Sequence, residues 1–346
     1  DNNLRRLLLQ LLPYPNQLRG VLRGLKYYSD SPLQEFFRKY GLNQLLGPQL
    51  KAMEELLPKL NEEAFKDDFE VSNFPEEPLR GKVGLVLGCV QRCLDPKVNQ
   101  ATIKVLKANG IEVIIPKDQG CCGAIAHHQG ELKQTQKLAR ELLKSFSQGT
   151  ASNTSAASKP LDALLIAASG CAHTMKSYKE ILKEDNNEFN GIPVFDVHEF
   201  LVKLGLSKTF IQKLKPLTHL GGGLSSQKNP YSVVYHDACH MIHGQGISLE
   251  PRQLIKHIPY LTLKEVVDPE VCCGSAGIFN IIQPKVAEEL GHFKVEELKA
   301  TNAELIASPN IGCTMQIRRH LKDKIPVAHP MQLLAYSAGL HQSPGF

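Results

Sequence analysis

The chain has 346 residues, enough for two domains of ordinary size, and with 42% hydrophobic and 22% charged residues it does not read as disordered. Its net charge of +5 comes without a dense Lys/Arg tract, so nucleic acid is not expected as a partner. No apolar run is long enough to cross a bilayer, and nine cysteines are too few for a small disulfide scaffold.

The N-terminus, Asp1-Asn2-Asn3-Leu4-Arg5-Arg6, has neither a starting Met nor a signal-peptide pattern and reads as part of something longer. Residues 1–80 contain no cysteine and are expected to be helical. Leu7, Leu8, Leu11 and Leu12 make an apolar face that ends at Pro13, because the residue before a proline resists helix. Further helices are expected over 17–27, 33–40 and 49–60. The first forty residues hold seven Lys/Arg against three Asp/Glu. That balance suits a docking arm on a neighbouring domain, with adhesion of basic amphipathic helices to an anionic membrane surface as the alternative. Residues 67–81, with Pro75, Pro78 and Gly81, read as a linker.

From Lys82 the pattern changes to alternating strands and helices. Residues 82–87 are a buried strand ending at Gly88-Cys89, 98–109 a helix stopped by Gly110, and 112–116 a strand leading into Cys121-Cys122-Gly123. A helix carrying Leu132, Ala139, Leu142, Leu143 and Phe146 follows, then an exposed Ser/Thr/Ala-rich insertion at 147–159. Strands at 163–168 and 193–195 come next, the first delivering Ser169-Gly170-Cys171 and the second leading to a helix from His198. Residues 220–226 read as a flexible linker, after which the order restarts. A strand at 232–236 ends near Cys239, and 261–267 leads to Cys272-Cys273-Gly274. Pro284 opens a helix with Val286, Ala287, Leu290 and Phe293, and 304–307 delivers Ile311-Gly312-Cys313. Ile192-Pro193-Val194-Phe195 with Phe200-Leu201 is echoed by Ile325-Pro326-Val327-Ala328 with Leu333-Leu334. This is an internal duplication. The expected fold class is α/β: two pseudo-symmetric units with mainly parallel sheets flanked by helices, preceded by a helical N-terminal segment. The expected boundaries are 1–80 for the helical segment, 81–220 and 231–346 for the two units, and 221–230 for the linker.

Eight of the nine cysteines fall into two sets of four with matching order. Cys89 precedes Cys121 by 32 positions and Cys239 precedes Cys272 by 33; Cys171 and Cys313 close the sets. Chemistry in open parallel sheets collects at the carboxyl ends of strands, where Cys89, Cys171, Cys239 and Cys313 are expected. Cys121-Cys122 and Cys272-Cys273 sit in Gly-flanked turns before helices, whose free N–H groups stabilise thiolates. Four thiolates per site suit an iron–sulfur cluster such as 4Fe–4S, or a zinc ion held by four cysteines at one or both sites. Inert buried thiols and disulfides are the alternatives. Paired cysteine sets without a secretory signal point to a reducing, cytoplasmic compartment, on the inner face of the membrane if the basic arm adheres there. Cys93, whose counterpart by order is His243, is either a bystander or an extra ligand. His127, His128, His173, His240 and His243 lie within a few residues of the cysteines and suit hydrogen-bonding support or ligation. Gly244, Gly246, Pro251 and Arg252 suit an anion site or a structural turn. No Walker loop, Rossmann fingerprint, His-Glu-x-x-His or Gly-x-Ser-x-Gly is present, and nothing would hold a flavin or nicotinamide.

Two copies of Cys, about thirty residues, Cys-Cys-Gly, then Cys resemble the CCG cysteine-rich domains of the heterodisulfide reductase B family. Gly88-Cys89-Val90-Gln91, Gly120-Cys121-Cys122-Gly123-Ala124, Ala168-Ser169-Gly170-Cys171, Cys272-Cys273-Gly274-Ser275-Ala276-Gly277 and Asn310-Ile311-Gly312-Cys313 are more closely similar to the iron–sulfur subunit of glycolate oxidase (glycolate dehydrogenase). Leu12-Pro13-Tyr14-Pro15 also fits that family's helical joining segment. The resemblance implies an electron-transfer subunit of a 2-hydroxy-acid dehydrogenase. FAD-binding partner subunits would do the oxidation, a quinone-side acceptor would take the electrons, and an N-terminal ferredoxin-like domain would precede the present segment. Where heterodisulfide reductases end on Cys-x-x-Cys, Cys171-Ala172-His173-Thr174 and Cys313-Thr314-Met315-Gln316 lack the second cysteine. Disulfide or quinone reduction at the chain's own cluster, or a zinc-stabilised scaffold, are the rival expectations.

Overall fold

The computed structural model describes residues 2–60, 62–151, 160–183, 191–321 and 325–343. The N-terminal arm is helical, as its apolar spacing predicts. Its helices Pro15–Ser29, Pro32–Lys39 and Pro48–Leu56 each begin on a proline, whose missing N–H is no loss in a first turn. The arm packs on both units rather than standing free. Arg5 donates to the Gln129 carbonyl oxygen at 2.7 Å and pairs with Glu131, while Glu55 pairs with Arg319 at 2.6 Å. Arg19, 4% exposed, donates to the Ala64 carbonyl oxygen and to Asp67, which in turn accepts from Arg92.

The first unit is built on a five-stranded sheet. Its strands are β1 (Ser72–Asn73), β2 (Gly81–Val86), β3 (Ile111–Ile114), β4 (Ala163–Ile166) and β5 (Val194–Asp196), in the order β1-β3-β2-β4-β5. All neighbours are parallel except β1, which pairs antiparallel to β3. The expected linker at 67–81 therefore contributes an edge strand: Ile115 donates to the Val71 carbonyl oxygen and Asn73 to that of Val113. The second unit carries β6 (Tyr231–Tyr235), β7 (Leu261–Lys264), β8 (Leu305–Ala307) and β9 (Val327–Ala328) in the all-parallel order β7-β6-β8-β9. That order equals β3-β2-β4-β5, so the duplication in sequence is a duplication in topology. It extends to single bonds: the carboxylate one residue before β4 (Asp162) accepts from the Lys82 N–H, and the one before β8 (Glu304) accepts from the Ser232 N–H.

Strand alternation gives each sheet two different faces. Val83 and Leu85 of β2, with Val233 and Tyr235 of β6, point into one core common to both units. Between the sheets, helix Pro96–Ala108 packs on Pro330–Ser337, and Val197–Leu204 on Leu249–Ile255. Each contact joins one helix to the other's repeat counterpart, the reciprocal pattern of a two-fold interface within one chain. Val86 and Val234 point the other way, towards the cysteines. Helix Leu132–Ala151 covers that face of the first unit, extending into the expected insertion; residues 152–159 lie outside the described residues. Helix Pro284–Ala300 buries Ala287, Gly291, Lys294, Val295 and Leu298, whereas Val286 and Phe293 are exposed. The segment at 220–226 folds as a tight turn, bridging Thr218 to Leu224, with Ser225 buried.

Candidate metal centres

In the first unit the four expected cysteines line one cavity, together with Gly88, Val90, Gln91, Ala124, Ile125 and Ala168. Cys89 follows β2, Cys121 and Cys122 occupy the turn after β3, and Cys171 lies in helix Ser169–Lys176 after β4. The Cys89 and Cys121 Sγ atoms are 3.2 Å apart, and the Gly123 N–H donates to Cys121 Sγ at 3.3 Å. Gly123 takes φ +82°, a conformation that suits glycine, and a Cβ there would meet the Thr135 carbonyl oxygen at 3.1 Å. Buried amides fix the turn. Gln119 accepts from the Leu87 N–H and donates to the Leu85 carbonyl oxygen, and the Tyr178 hydroxyl donates to the Cys122 carbonyl oxygen at 2.6 Å. Contacts with Cys121 and then Cys171 hold the Cys122 thiol well below its usual range despite burial, while its two neighbours are pushed up.

The second unit repeats the arrangement more openly. Cys239 and Cys272 Sγ are 4.0 Å apart and both residues are half-buried, whereas Cys273 and Cys313 are buried. The Gly274 N–H again donates to the Cys272 sulfur at 3.3 Å, at φ +86°. Contact with Cys239 and then Cys273 lowers the Cys272 thiol, and contact with Cys273 lowers that of Cys313. His236 accompanies this set. One of its ring nitrogens lies within 4.8 Å of Cys273 Sγ and Cys313 Sγ, and those two sulfurs are as close to each other. Sequence reasoning misses His236 because it precedes Cys239 by three positions and sits in an ordinary strand pattern. Residue-by-residue alignment of the repeats exposes it, opposite Val86.

The remaining expectations divide. Cys93 is not at the cavity. It lies on the short helix Gln91–Leu94, packs among Leu18, Leu22, Leu60 and Ala64 of the arm, and donates to the Pro15 carbonyl oxygen at 3.8 Å. Burial pushes its thiol up to about 11, so it stays protonated and is a packing residue. His127 and His243 are exposed; His243 faces the Glu270 carbonyl oxygen at 3.4 Å. Arg252 is occupied by Asp237 at 2.7 Å and Glu265 at 2.7 Å, which makes that region a structural brace rather than an anion site. His128, His173 and His240 do assemble, at the seam between the units. His128 stacks on His240 with ring centroids 4.5 Å apart, and His173 Nδ1 lies 2.9 Å from His240 Nδ1. Burial pushes His128 down to about 3 and also lowers His173 and His240, so these rings are neutral at pH 7. Because His173 follows Cys171 by two residues and His240 is next to Cys239, the rings join one cysteine set to the other.

All nine cysteines are free. The donor chemistry of each set suits a thiophilic centre: four sulfurs gathered from three segments, main-chain N–H groups aimed at sulfur, and low solvent access. The residues present therefore fit a cysteine-held metal centre in each unit.

Comparison with known proteins agrees with this geometry. The chain matches the CCG cysteine-rich domain family over residues 83–176 and 233–318, and the linker region of glycolate oxidase iron–sulfur subunits over 1–57. A probable glycolate oxidase iron–sulfur subunit of Bacillus subtilis is 30% identical over 95% of this chain and 71% of its own length. Lactate utilization protein A of an Exiguobacterium species is 26% identical over 75% of this chain and 97% of its own length. An uncharacterized iron–sulfur protein of Methanococcus maripaludis is 30% identical over 79% of this chain, which spans 49% of that protein.

Proposed function

Because the chain belongs to the family of glycolate oxidase iron–sulfur subunits, with two CCG cysteine-rich domains, we propose that it is an electron-transfer subunit of a 2-hydroxy-acid dehydrogenase. Cys89, Cys121, Cys122 and Cys171 would hold one 4Fe–4S cluster, and Cys239, Cys272, Cys273 and Cys313 a second. Such clusters supply one-electron chemistry at potentials set by hydrogen bonds to sulfur and by solvent exposure. The chain's own residues set both: Gly123 and Gly274 donate to sulfur, and one cysteine of the first set (Cys171) is half-buried against two of the second (Cys239 and Cys272). Oxidation of glycolate or D-lactate falls to an FAD-binding partner, because removing hydride from a 2-hydroxy acid needs a cofactor that this chain has no motif to hold. Electrons then pass towards a quinone-side acceptor. A cytoplasmic site, with the arm resting on the inner membrane face, fits its basic helices; among the described residues no helix is long and apolar enough to cross a membrane.

The observation that carries this reading is the pair of four-sulfur pockets facing one seam of neutral histidines. A second reading, zinc held for structure, is favoured by the 4.0 Å between Cys239 and Cys272, since a tetrahedral zinc with bonds of about 2.3 Å places its sulfurs about 3.8 Å apart. Anaerobic mixing with the FAD-bearing partner and glycolate separates the two. Electron transfer predicts bleaching of the iron–sulfur absorbance on the timescale of turnover. Zinc without iron, or iron that the reduced flavoprotein leaves oxidised, overturns it.

A further inference from the structure

We propose that His236 is a direct nitrogen donor to the metal of the second centre, so that the duplicated pockets hold chemically different centres: the first all-thiolate, the second thiolate plus imidazole. This rests on the reading above that the cysteine sets hold metal. Its ground is a departure from symmetry at one position. Gly81 of β2 pairs with the first residue of β3, and Tyr231 of β6 with the first residue of β7; Cys89 and Cys239 each lie eight residues further on. The repeats therefore align without a gap, and His236 falls where the first unit has Val86. Both side chains are buried, Val86 at 0% and His236 at 1% exposure. The Val86 side chain completes an apolar wall beside Cys89, Cys121 and Cys122.

An imidazole is a poor filler for such a wall. By hydrogen-bond geometry neither ring nitrogen of His236 has a partner and both are buried from solvent, although the ring lies close enough to the Cys313 sulfur to help lower that thiol. Nothing in the strand requires histidine there: the backbone N–H donates to the Ala307 carbonyl oxygen at 2.9 Å, a bond that any residue except proline would make. That bond fixes the register, and alternation puts the ring on the same face as Val234, among Cys273 and Cys313. Within 4.8 Å of both sulfurs, the ring nitrogen is near enough to share a metal ion with them. Coordination meets one nitrogen, and the other ring N–H remains free to donate to sulfur, as the outward nitrogen of a metal-bound histidine commonly donates to a neighbour. A cubane cluster or a tetrahedral zinc offers four external ligand positions. With His236, Cys273 and Cys313 bound, one of the half-buried Cys239 and Cys272 supplies the fourth and the other is left as a neighbouring thiol, in place of the four-cysteine set given above.

The test uses the whole chain purified anaerobically from cells grown with natural-abundance or 15N-labelled histidine. Pulsed EPR of the reduced protein reads histidine nitrogen bonded to iron, and X-ray absorption at the zinc edge reads it if the second centre holds zinc. The expected result is a nitrogen coupling of directly bonded size that changes isotope with the label and disappears in H236V. H236C provides a second arm. It should keep the metal, lose the nitrogen signal and lower the second centre's reduction potential, because a thiolate in place of imidazole adds negative charge. The proposal is overturned if both wild-type pockets carry metal and no bonded-size histidine signal exists, or if that signal survives in H236V. A weak coupling alone would make His236 a hydrogen-bond donor to the Cys313 sulfur and would equally overturn it. A wild-type second pocket without any metal would overturn the proposed function as well, so the two failures differ in what is measured.

Discussion

The two cysteine pockets share a plan and differ in how they are braced. In the first, the Cys89 and Cys121 sulfurs are 3.2 Å apart, the walls are apolar, and buried amides and a tyrosine hydroxyl hold the turns. In the second, the corresponding sulfurs are 4.0 Å apart, two cysteines reach solvent, and a histidine replaces a valine. Each also leans on an arginine drawn from a different place: Arg92 bonds Asp67 and the Gln119 carbonyl oxygen, while Arg252 bonds Asp237 and Glu265. Duplication conserved the strand ends and the Cys-Cys-Gly turns, where main-chain geometry decides. The side chains behind the turns diverged, and those set solvent access and the electrostatic field.

That contrast can be broken from either side. The largest stability effect is expected at Asp237, whose side chain is 2% exposed and grips Arg252 with both oxygens. Asp237→Ala leaves a largely buried guanidinium short of a partner and should cost about 3–4 kcal/mol, read by denaturant unfolding. It should weaken metal retention in the second pocket only.

A smaller loss, about 2–3 kcal/mol, is expected for Asp67→Ala, because Asp67 is about one-third exposed and solvent screens its pairs with Arg19 and Arg92. Burial alone would raise the Asp67 carboxyl, but the two arginines outweigh it and hold it below its ordinary value of 3.8. A lowered carboxyl contributes stability that is fully present above 3.8 and is lost as pH falls through its folded-state value. Wild-type arm docking should therefore persist at about pH 4 and weaken only in stronger acid. Asp67→Asn should abolish that part of the pH dependence; an unchanged acid profile would contradict the assignment.

The smallest effect is expected at Tyr178. Removing its hydroxyl in Tyr178→Phe frees the Cys122 carbonyl oxygen and should cost about 1 kcal/mol. Metal release to a chelator should quicken at the first centre and stay unchanged at the second.

Much of this was legible in the sequence because it is repetitive. Two cysteine sets at matched spacing, each following an apolar run, located the strand ends and the turns that gather the sulfurs. Features carried by a single residue or by tertiary packing were not legible. The edge strand Ser72–Asn73 has two residues and no alternation to reveal it. Cys93 lies on the short helix Gln91–Leu94, which starts after Cys89, and its sulfur packs into the arm among Leu18, Leu22, Leu60 and Ala64, a direction that spacing does not specify. The assembly of His128, His173 and His240 depends on the reciprocal packing of the two units, and His236 stands out only against Val86.

The most direct test of two separate metal-holding pockets is the iron, sulfide and zinc content of the anaerobically purified wild-type chain beside Cys122→Ser and Cys273→Ser. Two independent centres predict that each substitution removes one centre's metal, about half of the total, and leaves the other centre's spectrum unchanged. Loss of both centres from either substitution, or no loss from both, would contradict it.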